Sequence, residues 1–136
     1  MNIRVLLSDD HQILREGLRT LLDKEPDIEV VGEAEDGRST IELVRKLRPQ
    51  VVVMDITMPH LNGIYVTRQI TEEMPGVKVL GLSMHAHPWF VERMLNAGAK
   101  GYLLKDCAFE ELARAIRTVF TGKTYLSPKL ANSGGG

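Results

Sequence analysis

The sequence predicts an α/β fold, a doubly wound parallel sheet built from five βα units, on three observations. Short apolar, β-branched runs alternate with longer amphipathic segments five times along the chain. Three of the runs are almost uninterrupted in their hydrophobicity, the pattern of strands covered by helices on both faces. Helix-stopping residues, Pro75-Gly76 and Gly122, follow two of the amphipathic segments.

The strands are placed at Ile3–Leu7, Ile28–Ala34, Val51–Met54, Val77–Leu82 and Gly101–Leu104. The first helix, near His11–Asp23, carries Ile13, Leu14, Gly17, Leu18, Leu21 and Leu22, a stripe repeating at three and four residues that marks one buried face. Ser39–Leu47 repeats this more weakly, and Gly63–Met74 brings Val66, Ile70 and Met74 together. A fourth helix opens near Pro88, and the fifth, Phe109–Phe120, aligns Phe109, Leu112, Ile116 and Val119. Residues 1–126 form the expected domain. Residues 127–136, ending in Asn132-Ser133-Gly134-Gly135-Gly136, read as a linker or tail, because that composition does not pack.

The bulk composition excludes several functions. A chain of 136 residues, 43% hydrophobic and 26% charged, suits one globular domain. Its 17 basic and 18 acidic residues leave a net charge of −1, which offers no long-range attraction to a nucleic-acid backbone or an anionic bilayer, so neither is an expected partner of this chain. One cysteine, Cys107, makes no internal disulfide, and the N-terminus has no apolar stretch resembling a signal or a span; the expected setting is the cytoplasm.

In an open parallel sheet, functional groups gather outside the carboxyl ends of the strands. Strand one ends in Ser8-Asp9-Asp10, strand three in Asp55, strand four in Ser83 and strand five in Lys105. Three carboxylates on one edge repel one another unless a cation sits among them. A hard divalent ion, Mg²⁺ or Mn²⁺, resolves the crowding, with Asp10 and Asp55 as direct ligands, Asp9 acting through water and the backbone carbonyl of Thr57 filling a further position. Phosphoryl transfer needs in-line positioning and positive charge around the phosphoryl oxygens, which Lys105 and the metal supply. Asp55 is then the nucleophile; a carboxylate of ordinary pKa, about 3.9, is ionised at neutral pH without a base to activate it. Ser83 is placed to donate to a phosphoryl oxygen.

Four pieces of sequence also carry a resemblance: Ser8-Asp9-Asp10-His11, Asp55-Ile56-Thr57-Met58-Pro59 with Asn62-Gly63, Leu82-Ser83-Met84-His85, and Gly101-Tyr102-Leu103-Leu104-Lys105-Asp106. Together, in this order and each at a strand end, they resemble the receiver domains of two-component response regulators over residues 1–126. Leu-Ser-Met-His, with Tyr125-Leu126-Ser127-Pro128, is similar to the NarL/FixJ (LuxR-type) group, whose members carry a C-terminal DNA-binding helix-turn-helix; no such segment follows here. The resemblance implies a flavodoxin-like five-stranded sheet of order 2-1-3-4-5. It also implies a sensor histidine kinase that donates phosphate, control of an attached DNA-binding domain in the full-length protein, and homodimerisation on phosphorylation. Phosphorylation and its loss would be self-catalysed, without turnover of an outside substrate. Phosphoryl on Asp55 would draw in Ser83, and Tyr102 would follow by changing rotamer, altering the face of helix four, strand five and helix five. Met84 stands where many members carry a small residue.

Two other functions compete. A phosphatase of the haloacid dehalogenase kind also forms a phospho-aspartate, but it needs a second acid two residues on, where Thr57 stands. A flavodoxin-like nucleotide binder needs a phosphate-cradling loop after strand one, and that loop carries two carboxylates instead. Bland readings accompany the residues: Asp9-Asp10 as a helix cap, His11 as a polar helix opening, His85 and His87 as a solvated loop, Trp89 and Phe90 as core or partner-facing, and Cys107 as an inert small hydrophobe.

Overall fold

The computed structural model describes residues 2–56, 63–128 and 130. The β-branched runs become strands β1 (Ile3–Ser8), β2 (Ile28–Ala34), β3 (Val51–Asp55), β4 (Lys78–Ser83) and β5 (Gly101–Leu104). Their partners are helices α1 (Gln12–Asp23), α2 (Gly37–Leu47), α3 (Gly63–Glu73), α4 (Pro88–Asn96) and α5 (Ala108–Phe120). The strands run parallel in the order β2-β1-β3-β4-β5, and a two-residue strand β6, Tyr125–Leu126, adds to the β5 edge. The expected five-stranded order holds, with β6 as an extension. Two residues are too few for an alternation to show, so β6 was not visible in the sequence.

Each strand interior packs on both sides. Val5 and Leu7 join Leu18 and Leu22 of α1 and Leu112, Ile116 and Val119 of α5 on one face. Leu6, Val52 and Met54 meet Ile41, Val44, Val66, Ile70 and Met94 of α2, α3 and α4 on the other. Helices on both faces explain why these strands lack polar alternation.

Helix ends follow local chemistry. Asp36 caps α2 by accepting from Ser39 N at 2.8 Å. Pro88 opens α4, where its missing N–H costs nothing, behind a His87 Nδ1 that accepts from Trp89 N. Gly122, at φ +90°, follows the end of α5 in the left-handed conformation that glycine adopts at no steric cost.

Two expected core residues are corrected. Ile13 is 87% exposed, because it lies five residues before Leu18, about 140° round the helix from the buried line of Leu18 and Leu22. Phe109 is 51% exposed; Ala108 takes the buried position at the start of α5, and the Phe109 ring lies over Gly17 of α1 instead. Packing also continues beyond the expected boundary at 126. Ser127 is buried, with its N donating to Tyr102 O and its Oγ accepting from Leu104 N at 3.1 Å, and Leu130 sits in the α4-side core. An edge strand leaves unpaired backbone groups, and β6 with Ser127 satisfies those of β5.

Candidate functional site

The order of strands reverses its direction between β1 and β3, and the crevice at such a switch point receives whatever the strand ends carry. Both strands extend one residue beyond the sequence-based bounds, so Ser8 and Asp55 are their last members and Asp9 follows at once. Asp55 is fully buried. Gly63 at the start of α3 lies against it: a Cβ there would collide with Ile56 Cα and stand 2.6 Å from the Asp55 carbonyl oxygen, so glycine is required by close approach.

Lys105 begins a 3-10 turn after β5, and it is 9% exposed in its side chain. Its Nζ donates to Asp55 Oδ2 at 3.1 Å and pairs with Asp9 Oδ2 at 3.4 Å. Asp9 is held from three sides. Its N donates to Ala34 O, its carbonyl accepts from Arg15 Nη1 at 2.6 Å, and its Oδ1 accepts from His11 N at 2.8 Å. Arg15 in turn donates its Nε to Glu33 of β2. Burial pushes the Asp9 carboxyl above its ordinary pKa and the nearby Asp55 charge adds to this, while His11 and Lys105 oppose it. Asp9 Oδ2, buried, accepts no hydrogen bond among the described residues.

Ligand atoms of Asp9, Asp10, His11 and Asp55 all lie within 4.8 Å of one another. Three carboxylates and one ammonium leave a formal charge of −2, which one divalent cation balances. The residues therefore fit a hard metal ion, on the strength of the buried Asp9 oxygen that accepts no hydrogen bond among the described residues and the acidic oxygen donors beside it. His11 is the member that the sequence reading missed. Its Nδ1 stands 3.0 Å from Asp9 Oδ1, 3.2 Å from Asp10 Oδ1 and 3.2 Å from Lys105 Nζ. The available signal was its place directly after an acid pair at a strand end.

Ser83, buried at the end of β4, accepts from His85 N at 2.9 Å, and Tyr102 OH donates to His85 O at 2.6 Å. One peptide segment is thus held by both expected switch residues. Burial pushes the Tyr102 phenol up, and a hydrogen bond with Ser83 works against that. The expected Thr57 carbonyl, with Met58, Pro59 and Asn62, lies outside the described residues. His85 stacks on Phe90 at 4.2 Å and His87 caps α4, so neither joins the acidic cluster. Trp89 is about half exposed, and Arg93 lies 4.8 Å over its ring.

Residues 5–117 match the response regulator receiver domain. The chain belongs to that family. The transcriptional regulatory protein DegU of Brevibacillus brevis is 43% identical over 131 residues, which is 96% of this chain but 56% of DegU, so the receiver spans little more than half of that relative. A LuxR-family two-component response regulator from Aurantimonas sp. SI85-9A1 superposes with a TM-score of 0.93 at 37% identity, covering 97% of this chain and 94% of that one. The isolated receiver domain of RcsB from Salmonella enterica serovar Typhimurium, solved with the phosphomimetic BeF₃⁻, superposes with a TM-score of 0.88 at 28% identity, covering 97% and 98%. These neighbours bear out the flavodoxin-like receiver fold and the LuxR-type affiliation. Among the described residues of the receiver, no helix is long and apolar enough to cross a membrane.

Proposed function

We propose that this receiver accepts a phosphoryl group on Asp55 from a phosphohistidine of a sensor histidine kinase, and that the change controls an attached DNA-binding domain in the full-length regulator. The observation that carries this reading is the pairing of a fully buried Asp55 with Lys105 Nζ at 3.1 Å, beside two further carboxylates at the switch point of the sheet.

An Asp55 carboxylate oxygen attacks phosphorus, the new O–P bond forms, and the N–P bond to the donor imidazole breaks. The bonding pair returns to the imidazole nitrogen, which takes up a proton. A carboxylate nucleophile needs no general base to activate it. Lys105 holds the carboxylate in place and presents its ammonium to the charge on the transferring group. A bound Mg²⁺ or Mn²⁺ would supply the remaining positive charge, held by Asp10 and Asp55 directly, by Asp9 through water and by the Thr57 carbonyl. Asp9 is oriented for this by its bonds to His11 N and Arg15.

Signal output follows from the shared hold on residue 85. When the Ser83 hydroxyl turns to donate to the phosphoryl group, it gives up His85 N, and the peptide that Tyr102 grips is freed to move. Shifting such an equilibrium from 1:99 to 99:1 takes about 5.5 kcal/mol. Charge-assisted hydrogen bonds worth roughly 1.5–3 kcal/mol each reach that sum with two or three contacts.

The test is intact mass after incubation with acetyl phosphate and Mg²⁺. The wild type gains one phosphoryl group and Asp55→Asn gains none. Equal labelling of the variant would remove Asp55 from its role.

A further inference from the structure

The phosphoacceptor reading leaves His11 with no chemistry of its own, although its ring faces the centre of the acidic cluster. We propose that His11 Nδ1 is a nitrogen ligand of the cation site, which makes that site a mixed imidazole and carboxylate centre suited to a borderline ion such as Zn²⁺ or Co²⁺ as well as to Mg²⁺. This rests on the reading of Asp10 and Asp55 as direct cation ligands, with Asp9 acting through water, and deepens it.

Geometry supports a ligand role. Nδ1 lies 3.0 Å from Asp9 Oδ1, 3.2 Å from Asp10 Oδ1 and 3.9 Å from Asp55 Oδ2. Zinc bonds of about 2.0–2.2 Å to nitrogen and oxygen give tetrahedral ligand-to-ligand edges of about 3.3–3.6 Å, so the edge from Nδ1 to Asp10 Oδ1 is already close to that size. The ring is tethered at the entry of α1, where His11 N donates to Asp9 Oδ1 and His11 O accepts from Arg15 N. Its side chain is 58% exposed, so an ion reaches it without opening the fold.

One further feature points to a cation at this place. Asp9 Oδ2 is buried in the site and accepts no hydrogen bond among the described residues. Lys105 Nζ stands 3.2 Å from Nδ1, and an ammonium has donors alone, so in the tautomer with its proton on Nε2 the Nδ1 lone pair faces the cleft. The tautomer with its proton on Nδ1 would instead donate to Asp9 Oδ1; a cation at the centre selects the tautomer with its proton on Nε2. Ion choice follows from donor type. Carboxylate and water suit Mg²⁺, whereas imidazole adds affinity for Zn²⁺, Co²⁺ or Ni²⁺.

Calorimetric titration of the full chain with Zn²⁺ and, separately, with Mg²⁺ tests this, with Co²⁺ absorption in the visible reporting the ligand set directly. His11→Ala is expected to weaken Zn²⁺ at least about tenfold and to change the Co²⁺ spectrum, while Mg²⁺ affinity stays within about threefold. His11→Gln, which keeps a polar side chain but no imidazole, should behave as His11→Ala does, and thermal melting verifies that both are folded. Equal weakening of both ions, or none, overturns the inference while leaving the phosphoacceptor reading intact. Zn²⁺ binding that survives His11→Ala but is lost in His87→Ala places the ion elsewhere and also overturns it. Absence of Mg²⁺ binding in the wild type removes the cation site altogether, and both readings fall together.

Discussion

Lys105 ties three members of the site together. It is mostly buried and stands against Asp55, Asp9 and His11 at once. Removing one partner of a buried ion pair leaves the other charge uncompensated, at a cost of roughly 3–5 kcal/mol. Here the remaining charges are carboxylates, and burial first, with the Asp55 charge adding to it, already holds the Asp9 carboxyl above its ordinary pKa. Lys105→Met is therefore expected to lower folding stability by about 3 kcal/mol in metal-free urea denaturation. Millimolar Mg²⁺ should restore part of the loss; a midpoint unchanged from wild type would mean that the carboxylates do not depend on the ammonium. These partners were legible at the residue scale because strand-end position is a rule of parallel sheets. His11 was not, since a lone polar residue at a helix start has an ordinary explanation and its ring direction is decided by Asp9 and Lys105.

At the scale of elements, β6 shows how a short segment is held by its neighbours. Tyr125 OH donates to Glu111 Oε1 at 2.6 Å, tying β6 to α5, while Tyr125 N bonds Lys100 O at the β5 edge. Burial, and after it the Glu111 contact, push the Tyr125 phenol up to about 12. A folded-state pKa above the unfolded one means stability that is present below the unfolded value, about 10, and lost as pH rises through the folded one. Between pH 10 and about 12 the wild type should therefore lose stability relative to Tyr125→Phe. Paired alkaline melts measure this, and absorbance titration should show a phenol titrating near pH 12 missing from the variant. The helices teach the complementary lesson. Spacing of three and four located the buried stripe of α1 and α5, but not its edges, and so Ile13 and Phe109 were placed inside. Which flank of a stripe is covered depends on the helix or strand beside it.

Across the whole molecule, one sheet separates two cores, and the reversal between β1 and β3 opens the cleft that the acids fill. Ser127 and Leu130 belong to this body, Leu130 as a member of the core that includes Tyr102, Leu104 and Met94. Leu130→Ala should cost about 2–3 kcal/mol in chemical denaturation, near the low end for a buried leucine, and a chain ending at 126 should lose at least as much. A loss below about 0.5 kcal/mol in both would return the boundary to residue 126. The amino-acid sequence alone determined the βα alternation, the strand-end acids, Lys105 and the family, because hydrophobic period, turn chemistry and motif order are local properties that a chain displays without folding. Tertiary structure alone decided the aim of His11, the grip of Ser83 and Tyr102 on residue 85, the exposure of Ile13 and Phe109, and the seat of Leu130. Each of those depends on which distant surface arrives to cover or to pair with the group, and that surface comes into being when the sheet closes.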